Sequence, residues 1–215
     1  MDPAEQRRRM VDRQIAGRGV RDERVLDAMR AVPREAFVPS VSAHLAYEDH
    51  PLGIGEGQTI SQPYVVALMA EAAQVGPEDR VLEVGAGSGY GAAVLGRLAQ
   101  QVWTIERHRP LAERAAGALD AIGATNVTVV HGDGSEGWAE GAPYDAIVVT
   151  AASRQVPPAL LEQLAVGGRL VMPVGGADAQ ELIRVRREGD SFTRDELGAV
   201  RFVPLLPNLP DPPVG

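Results

Sequence analysis

From residue 80 onward, short β-rich runs and helical segments take turns with little chain between them. RVLEVG (80–85), QVWTIE (101–106), NVTVVHGD (126–133, strand and turn), YDAIVVT (144–150) and GRLVMPVG (168–175) have the β-branched, apolar texture of buried strands. The intervening stretches 90–98, 110–122 and 157–164 carry helical spacing. Strands joined through helices cannot form tight antiparallel hairpins, so the alternation requires crossovers and a mostly parallel sheet covered on both faces. No other feature of the chain narrows the fold as far. It predicts an α/β, Rossmann-like domain.

The flanks read differently. Apolar residues recur at helical spacing over 4–17 and 22–31 (Met10, Ile15, then Val25, Leu26, Met29 and Val32), which predicts two short helices. Pro33 and Pro39 interrupt them, and the stretch through Gly57, rich in glycine, proline and polar residues, reads as irregular connection; a third helix should begin near Gln62. The expected division is therefore a helical cap with a substrate-side segment over 1–76 and a Rossmann-like core over 77–215, forming one unit. Beyond the alternation, ELIRVRREGDSFTRDEL suggests a hairpin turning at Gly189-Asp190, and AVRFVPLL (199–206) a last strand. The end, PNLPDPPVG, is too proline-rich for regular structure.

Composition removes several chemistries. The chain has no cysteine, so disulfides, thiolate metal sites and cysteine nucleophiles are excluded. His44, His50, His108 and His131 show no ligand spacing, which argues against a metal enzyme. A net charge of −8 does not suit a phosphate-backbone binder, so nucleic acid is not an expected partner; Arg7 to Arg9 read as a solvated helix face. There is no apolar leader and no membrane-length apolar stretch, so a cytoplasmic protein without membrane association is expected.

The first strand runs straight into VLEVGAGSGYG, where an open α/β sheet takes a nucleotide-like ligand. By itself this glycine loop is weak evidence, because any tight βα turn would resemble it. Two carboxylates strengthen it. Glu106 ends the second strand, where a side chain can accept from both ribose hydroxyls, and Asp133 in HGDG ends the third, where it can take an adenine amino group. The spacing is G-x-G-x-G and not the dinucleotide G-x-G-x-x-G, which favours adenosine without a diphosphate: S-adenosylmethionine. Methyl transfer to a carboxylate also agrees with a histidine-poor chain, because such an acceptor is already ionised at neutral pH and needs no base.

Residues 51–64 (PLGIGEGQTISQPY), 81–95 (VLEVGAGSGYGAAVL), TIER (104–107), HGDG (131–134), YDAIVVTAA (144–152), GGRLVMPVG (167–175) and VRFVPL (200–205) together resemble the protein-L-isoaspartate (D-aspartate) O-methyltransferase family. The match runs in order over nearly the whole chain, and GQTISQP with VRFVPL is much more specific than the glycine loop. The resemblance implies a monomeric repair enzyme that methylates the free α-carboxylate of isoaspartyl residues in proteins and peptides, the ester then closing to a succinimide. By position, Ser61 is the active-site hydroxyl. Gln58, Thr59, Ile60 and Ser61 approach the methionine end of S-adenosylmethionine, Glu83, Gly85, Gly87 and Gly89 form its loop, and Glu106, Asp133 and Gly134 hold the nucleoside. Ile54, Thr59, Ser61, Gln62 and the run Val200, Arg201, Phe202, Val203, Pro204 and Leu205 fall to the substrate, the run pairing with its main chain.

Ser61 has a plain structural reading as well. Ser-x-Pro at a helix start predicts an N-cap with proline in the first turn. The chain departs from the family pattern at Gly53, Glu56 and Ala86, and the Glu56 charge would oppose an anionic substrate unless it points away or is paired. Rival readings are a methyltransferase dedicated to one aspartate of a peptide natural product, a nicotinamide oxidoreductase, and a cofactor-binding protein without activity.

Overall fold

The computed structural model describes residues 2–209. The N-terminal cap begins with α1 (Pro3–Met10), which does not run on to residue 17 as one helix: a π-helical turn (Val11–Ile15) and a 3-10 turn (Ala16–Arg18) follow it. The looser turn brings Met10, Val11 and Ile15 onto the buried side together. Helix α2 (Glu23–Ala31) starts at Asp22, whose carboxylate accepts the Arg24 N–H at 2.9 Å, and it buries Val25, Leu26, Ala28 and Met29 along one face.

The next stretch corrects the sequence reading. Where irregular chain is expected, β1 (Leu52–Gly55) and β2 (Gln58–Ile60) form an antiparallel hairpin, Leu52 opposite Ile60 and Gly53 opposite Thr59. Its turn holds Glu56 and Gly57 at φ 51° and 68°. Helix α3 (Pro63–Ala73) has Pro63 in its first turn, but its N-cap is Gln62 and not Ser61, and no side chain caps it.

The alternation then proceeds as the texture predicts: β3 (Arg80–Val84), α4 (Tyr90–Gly96), β4 (Gln101–Glu106), α5 (Arg109–Ala121), β5 (Val127–His131), β6 (Tyr144–Val149), α6 (Pro158–Glu162) and β7 (Leu164–Gly175). The hairpin β8 (Gln180–Glu188) and β9 (Ser191–Val200) turns at Gly189-Asp190. The seven strands lie in the order β5-β4-β3-β6-β7-β8-β9; pairings are parallel from β5 to β7 and antiparallel beyond.

Successive residues of each strand point to opposite faces, and two cores result. Val81, Val102, Ala146, Val148 and Val171 pack with the cap, α3, α4 and α5, so cap and sheet share one continuous core. Leu82, Ile105, Ile147, Val149 and Met172 face the other way, onto Leu160 of α6 and Leu164. Full burial of each such side chain contributes about 1.5–3 kcal/mol. Ile147→Ala, at 0% exposure, would cost about 2–5 kcal/mol.

Strand β9 stops at Val200, so VRFVPL is not a continuing strand. Residues 201–205 leave the sheet edge and cross over the end of β6. The Gln180 amide holds Phe202 by both backbone groups (2.7 and 3.1 Å), and Ala152 pairs with the flanks of Pro204, its N–H donating to the Val203 carbonyl and its carbonyl accepting from Leu205. Residues 207–209 of the proline-rich end are irregular, as expected; 210–215 lie outside the described residues.

Candidate active site

The strand order reverses between β3 and β6: β4 and β5 build outward on one side of β3, β6 and β7 on the other. In an open sheet the crevice beyond the strand ends at that point is where ligands bind. Here it is a cavity of about 880 Å³, open mouth included, lined by the glycine loop, by Gln58 to Ser61 and by the Val203–Leu206 crossing.

Two glycines in the loop have stated reasons to be glycine. Gly85 adopts φ 98°, and a Cβ there would collide with the Thr150 hydroxyl, which donates to the Gly85 carbonyl at 2.8 Å. Gly87, at φ 53°, donates its N–H to Glu106 Oε2 at 2.8 Å. The other Glu106 oxygen accepts from the His108 N–H at 2.8 Å, so this buried carboxylate ties the loop to the end of β4. Each oxygen keeps a further lone pair for a ligand hydroxyl.

Glu83 lies deeper. The strand alternation places it with Val81 on the cap side, where Gly91 of α4 passes so closely that a Cβ would strike Glu83 Oε1. It is 1% exposed, and the only protein hydrogen bond to its carboxyl group among the described residues comes from the Thr104 hydroxyl, at 2.5 Å. Burial pushes its pKa up to about 8; the Thr104 hydrogen bond works against that and the nearby Glu106 charge with it. Asp133 behaves oppositely. Burial tends to raise its carboxyl, but hydrogen bonds from Ser135 and the Asn208 N–H outweigh this and hold it below the ordinary range. Its Oδ1 accepts from the Ser135 N–H and hydroxyl, its Oδ2 from Asn208 at 2.5 Å.

A second, wider groove meets the cavity from outside, between the cap, the start of α3 and residues 197–203. Four residues line both spaces: Thr59, Ser61, Thr150 and Val203. Ser61 is half-buried, caps nothing, and its hydroxyl has no hydrogen-bond partner among the described residues.

Most of the residues expected from the sequence are thus gathered at one place. Gln58, Thr59, Ile60, Ser61, Glu83, Gly85, Gly87, Glu106 and Gly134 line the cavity, with Val203, Pro204 and Leu205. Gln62, Val200, Arg201 and Phe202 line the groove. Three stand back from both: Gly89 is the N-cap of α4, Ile54 is buried against Gly87, and Asp133 is turned toward Ser135 and Asn208. Exposed Glu56 lies at the hairpin tip, lining neither space. Sequence reasoning did not single out Thr150, Arg18 or Tyr64. The position of Thr150 just after β6, at the strand-order reversal, was the available signal; the other two come from the cap and become neighbours of the site only through folding.

The sequence model of the protein-L-isoaspartate (D-aspartate) O-methyltransferase family matches residues 5–209. The chain belongs to that family. The protein-L-isoaspartate O-methyltransferase of Roseiflexus sp. (strain RS-1) is 59% identical over 206 residues, 96% of this chain and 94% of that protein. The enzyme of the same description from Protochlamydia amoebophila (strain UWE25) is 57% identical over 199 residues, 92% of this chain and 95% of its own. Among solved structures, a protein-L-isoaspartate O-methyltransferase matches with a TM-score of 0.85 at 31% identity, covering 94% of this chain and 67% of that one. A Plasmodium falciparum chain assigned the same activity, in complex with S-adenosyl-L-homocysteine, matches with a TM-score of 0.82 at 24% identity, covering 94% and 99%. The fold is therefore that of S-adenosylmethionine-dependent methyltransferases. Among the described residues no helix is long and apolar enough to cross a membrane, and no cluster of potential metal ligands occurs.

Proposed function

We propose that this family member transfers a methyl group from S-adenosylmethionine to the free α-carboxylate of L-isoaspartyl residues, and of D-aspartyl residues less well, in damaged proteins and peptides. The observation that carries this reading is the junction at Thr59, Ser61, Thr150 and Val203, where the cavity at the strand ends opens into the outer groove.

The donor set suits the cofactor. Glu106 offers lone pairs to a ribose diol and Gly134 a backbone approach for adenine, with Asp133 reaching that end once Asn208 yields its oxygen. Buried Glu83 at the inner end is a carboxyl group with one oxygen left without a protein hydrogen bond among the described residues; a cationic methionine moiety beside it favours its ionised form, and Gln58, Thr59 and Ile60 close over that end. S-adenosylmethionine supplies a methyl group already activated on a sulfonium, so transfer to a carboxylate oxygen leaves a thioether and a methyl ester and requires no general base.

What the chain contributes is positioning. The unpartnered Ser61 hydroxyl donates to the acceptor carboxylate and fixes one oxygen toward the junction, holding it at a near-attack distance of roughly 3–3.5 Å. The crossing at Val203–Leu205, anchored on Ala152, roofs the junction against water, and the main-chain groups of the run from Val200 that Gln180 and Ala152 leave over pair with the substrate backbone, which holds the substrate through peptide groups common to every site. Residues 1–76 and the core from 77 act as one unit because their shared core holds the groove between them. The following backbone amide nitrogen then attacks the ester carbonyl, losing its proton and expelling methanol, to give a succinimide whose hydrolysis returns some normal aspartate.

The test is transfer of labelled methyl to two peptides differing only in a normal or an isoaspartyl linkage, with Ser61→Ala alongside. Base-labile label on the isoaspartyl peptide alone, reduced in the variant, is expected. Equal labelling of both peptides, or of neither, overturns the reading.

A further inference from the structure

The chain has 29 acidic residues against 21 basic ones, yet both charged side chains lining the outer groove among the described residues are arginines, Arg18 and Arg201. They come from distant parts of the sequence, one from the cap and one from the segment after β9.

Arg18 is held in place. Its Nη1 donates to Asp49 Oδ2 at 2.6 Å, and its guanidinium carbon lies 3.7 Å from the centre of the Tyr64 ring. The same Asp49 oxygen accepts from Gln62 Nε2 at 2.7 Å, so a single carboxylate ties Arg18 to the residue that follows Ser61. Asp49 also acts electrostatically on the buried Arg34 guanidinium. The Arg18 side chain is 46% exposed, and one ion pair uses only part of its five-donor fork. A stacked, ion-paired guanidinium with donors left over toward a groove is preorganised for an anion, unlike a freely moving surface charge.

We propose that Arg18 is a specificity-determining residue that contacts an acidic side chain flanking the isoaspartyl residue, with Asp49 positioning it. The enzyme then favours damaged sites in acidic segments and disfavours those beside lysine or arginine. The proposal rests on reading the outer groove as the peptide channel. Arg201 contributes to the same field but, being exposed and unstacked, less selectively.

Three peptides with the same isoaspartyl core and neutral, acidic or lysine flanks test it, each assayed with wild type, Arg18→Gln and Arg18→Lys. Wild type should show a KM about three- to fivefold lower for the acidic than for the lysine peptide at low salt, with kcat little changed, and the ratio should fall toward one in raised salt. Arg18→Gln should flatten the ratio, and Arg18→Lys should restore part of it. Because the readout is a ratio between peptides on one enzyme sample, partial unfolding of a variant cancels. A wild type without flank preference, or an Arg18→Gln enzyme that keeps the wild-type ratio, overturns the inference while labelling of the neutral peptide leaves the isoaspartyl reading standing. A wild type that labels none of the three overturns both.

Discussion

Glu83→Gln should remove a pH dependence of stability that the wild type owes to one buried carboxyl. In the folded protein Glu83 holds its proton up to about pH 8, whereas the usual carboxylate value is 4.5. Between these limits the native state binds a proton that the unfolded chain has released, so stability falls as pH rises through the window. Each pH unit within it is worth about 1.36 kcal/mol, so going from about pH 5.5 to about pH 7.5 should cost roughly 2–3 kcal/mol through this group. The groups facing Glu83 are the Thr104 hydroxyl, which the glutamine oxygen can still accept, and the Glu106 carboxylate, which the substitution leaves in place. The new amide protons lack an evident acceptor and add a penalty of about 1–3 kcal/mol, but that penalty is the same at both pH values. Urea unfolding of both proteins at the two pH values isolates the effect as a difference of differences. A variant losing as much stability as wild type between them would refute the assignment of a buried, protonated Glu83.

Gly91→Ala should lower both folding stability and affinity for S-adenosyl-L-homocysteine, because the added methyl collides with Glu83; binding calorimetry with thermal melts would show the two losses together. Ser61→Ala should leave the melting temperature within about 1–2 °C of wild type, since the hydroxyl caps nothing and a sub-0.5 kcal/mol change shifts little, while methyl transfer falls by about tenfold or more. Arg34→Ala should lower stability by about 2–5 kcal/mol in denaturant unfolding, because it empties a fully buried volume over the Tyr90 ring and strips the Ala46 carbonyl of its donor at 2.8 Å.

The parallel core was readable because its central strands are buried on both faces: Val81, Leu82 and Val84 of β3 are all buried, and such runs separated by helical periods have few other folds open to them. The glycine loop, Glu106 and Gly134 were readable because they sit at strand ends, which sequence position fixes well. The β1–β2 hairpin was not. Its four-residue strand LGIG is half glycine, and pairing there depends on Leu52, Ile54 and Ile60 finding the core and on Arg114 of α5 donating to the Ile54 carbonyl at 2.8 Å, none of which local propensity records. The expected cap role of Ser61 failed by one residue: Gln62 takes the N-cap position, which leaves the serine hydroxyl free to face the junction. VRFVPL has strand-like composition but leaves the ladder after Val200, because Gln180 and Ala152 draw it across the strand ends. Arg18 shows a deeper limit, since its stacking on Tyr64 and its pairing with Asp49 are tertiary and carry no sequence spacing to recognise.

Repair of an isoaspartyl linkage begins, in the proposed function, with methylation at the junction around Ser61. Its most direct test follows a single isoaspartyl peptide through repeated turnover with S-adenosylmethionine, separating isoaspartyl, succinimide and normal aspartyl forms by chromatography. The isoaspartyl form should decline and the normal aspartyl form accumulate by way of the succinimide, at a rate that drops with Ser61→Ala. An isoaspartyl peptide that persists unchanged while S-adenosylmethionine stays bound and unconsumed would contradict it.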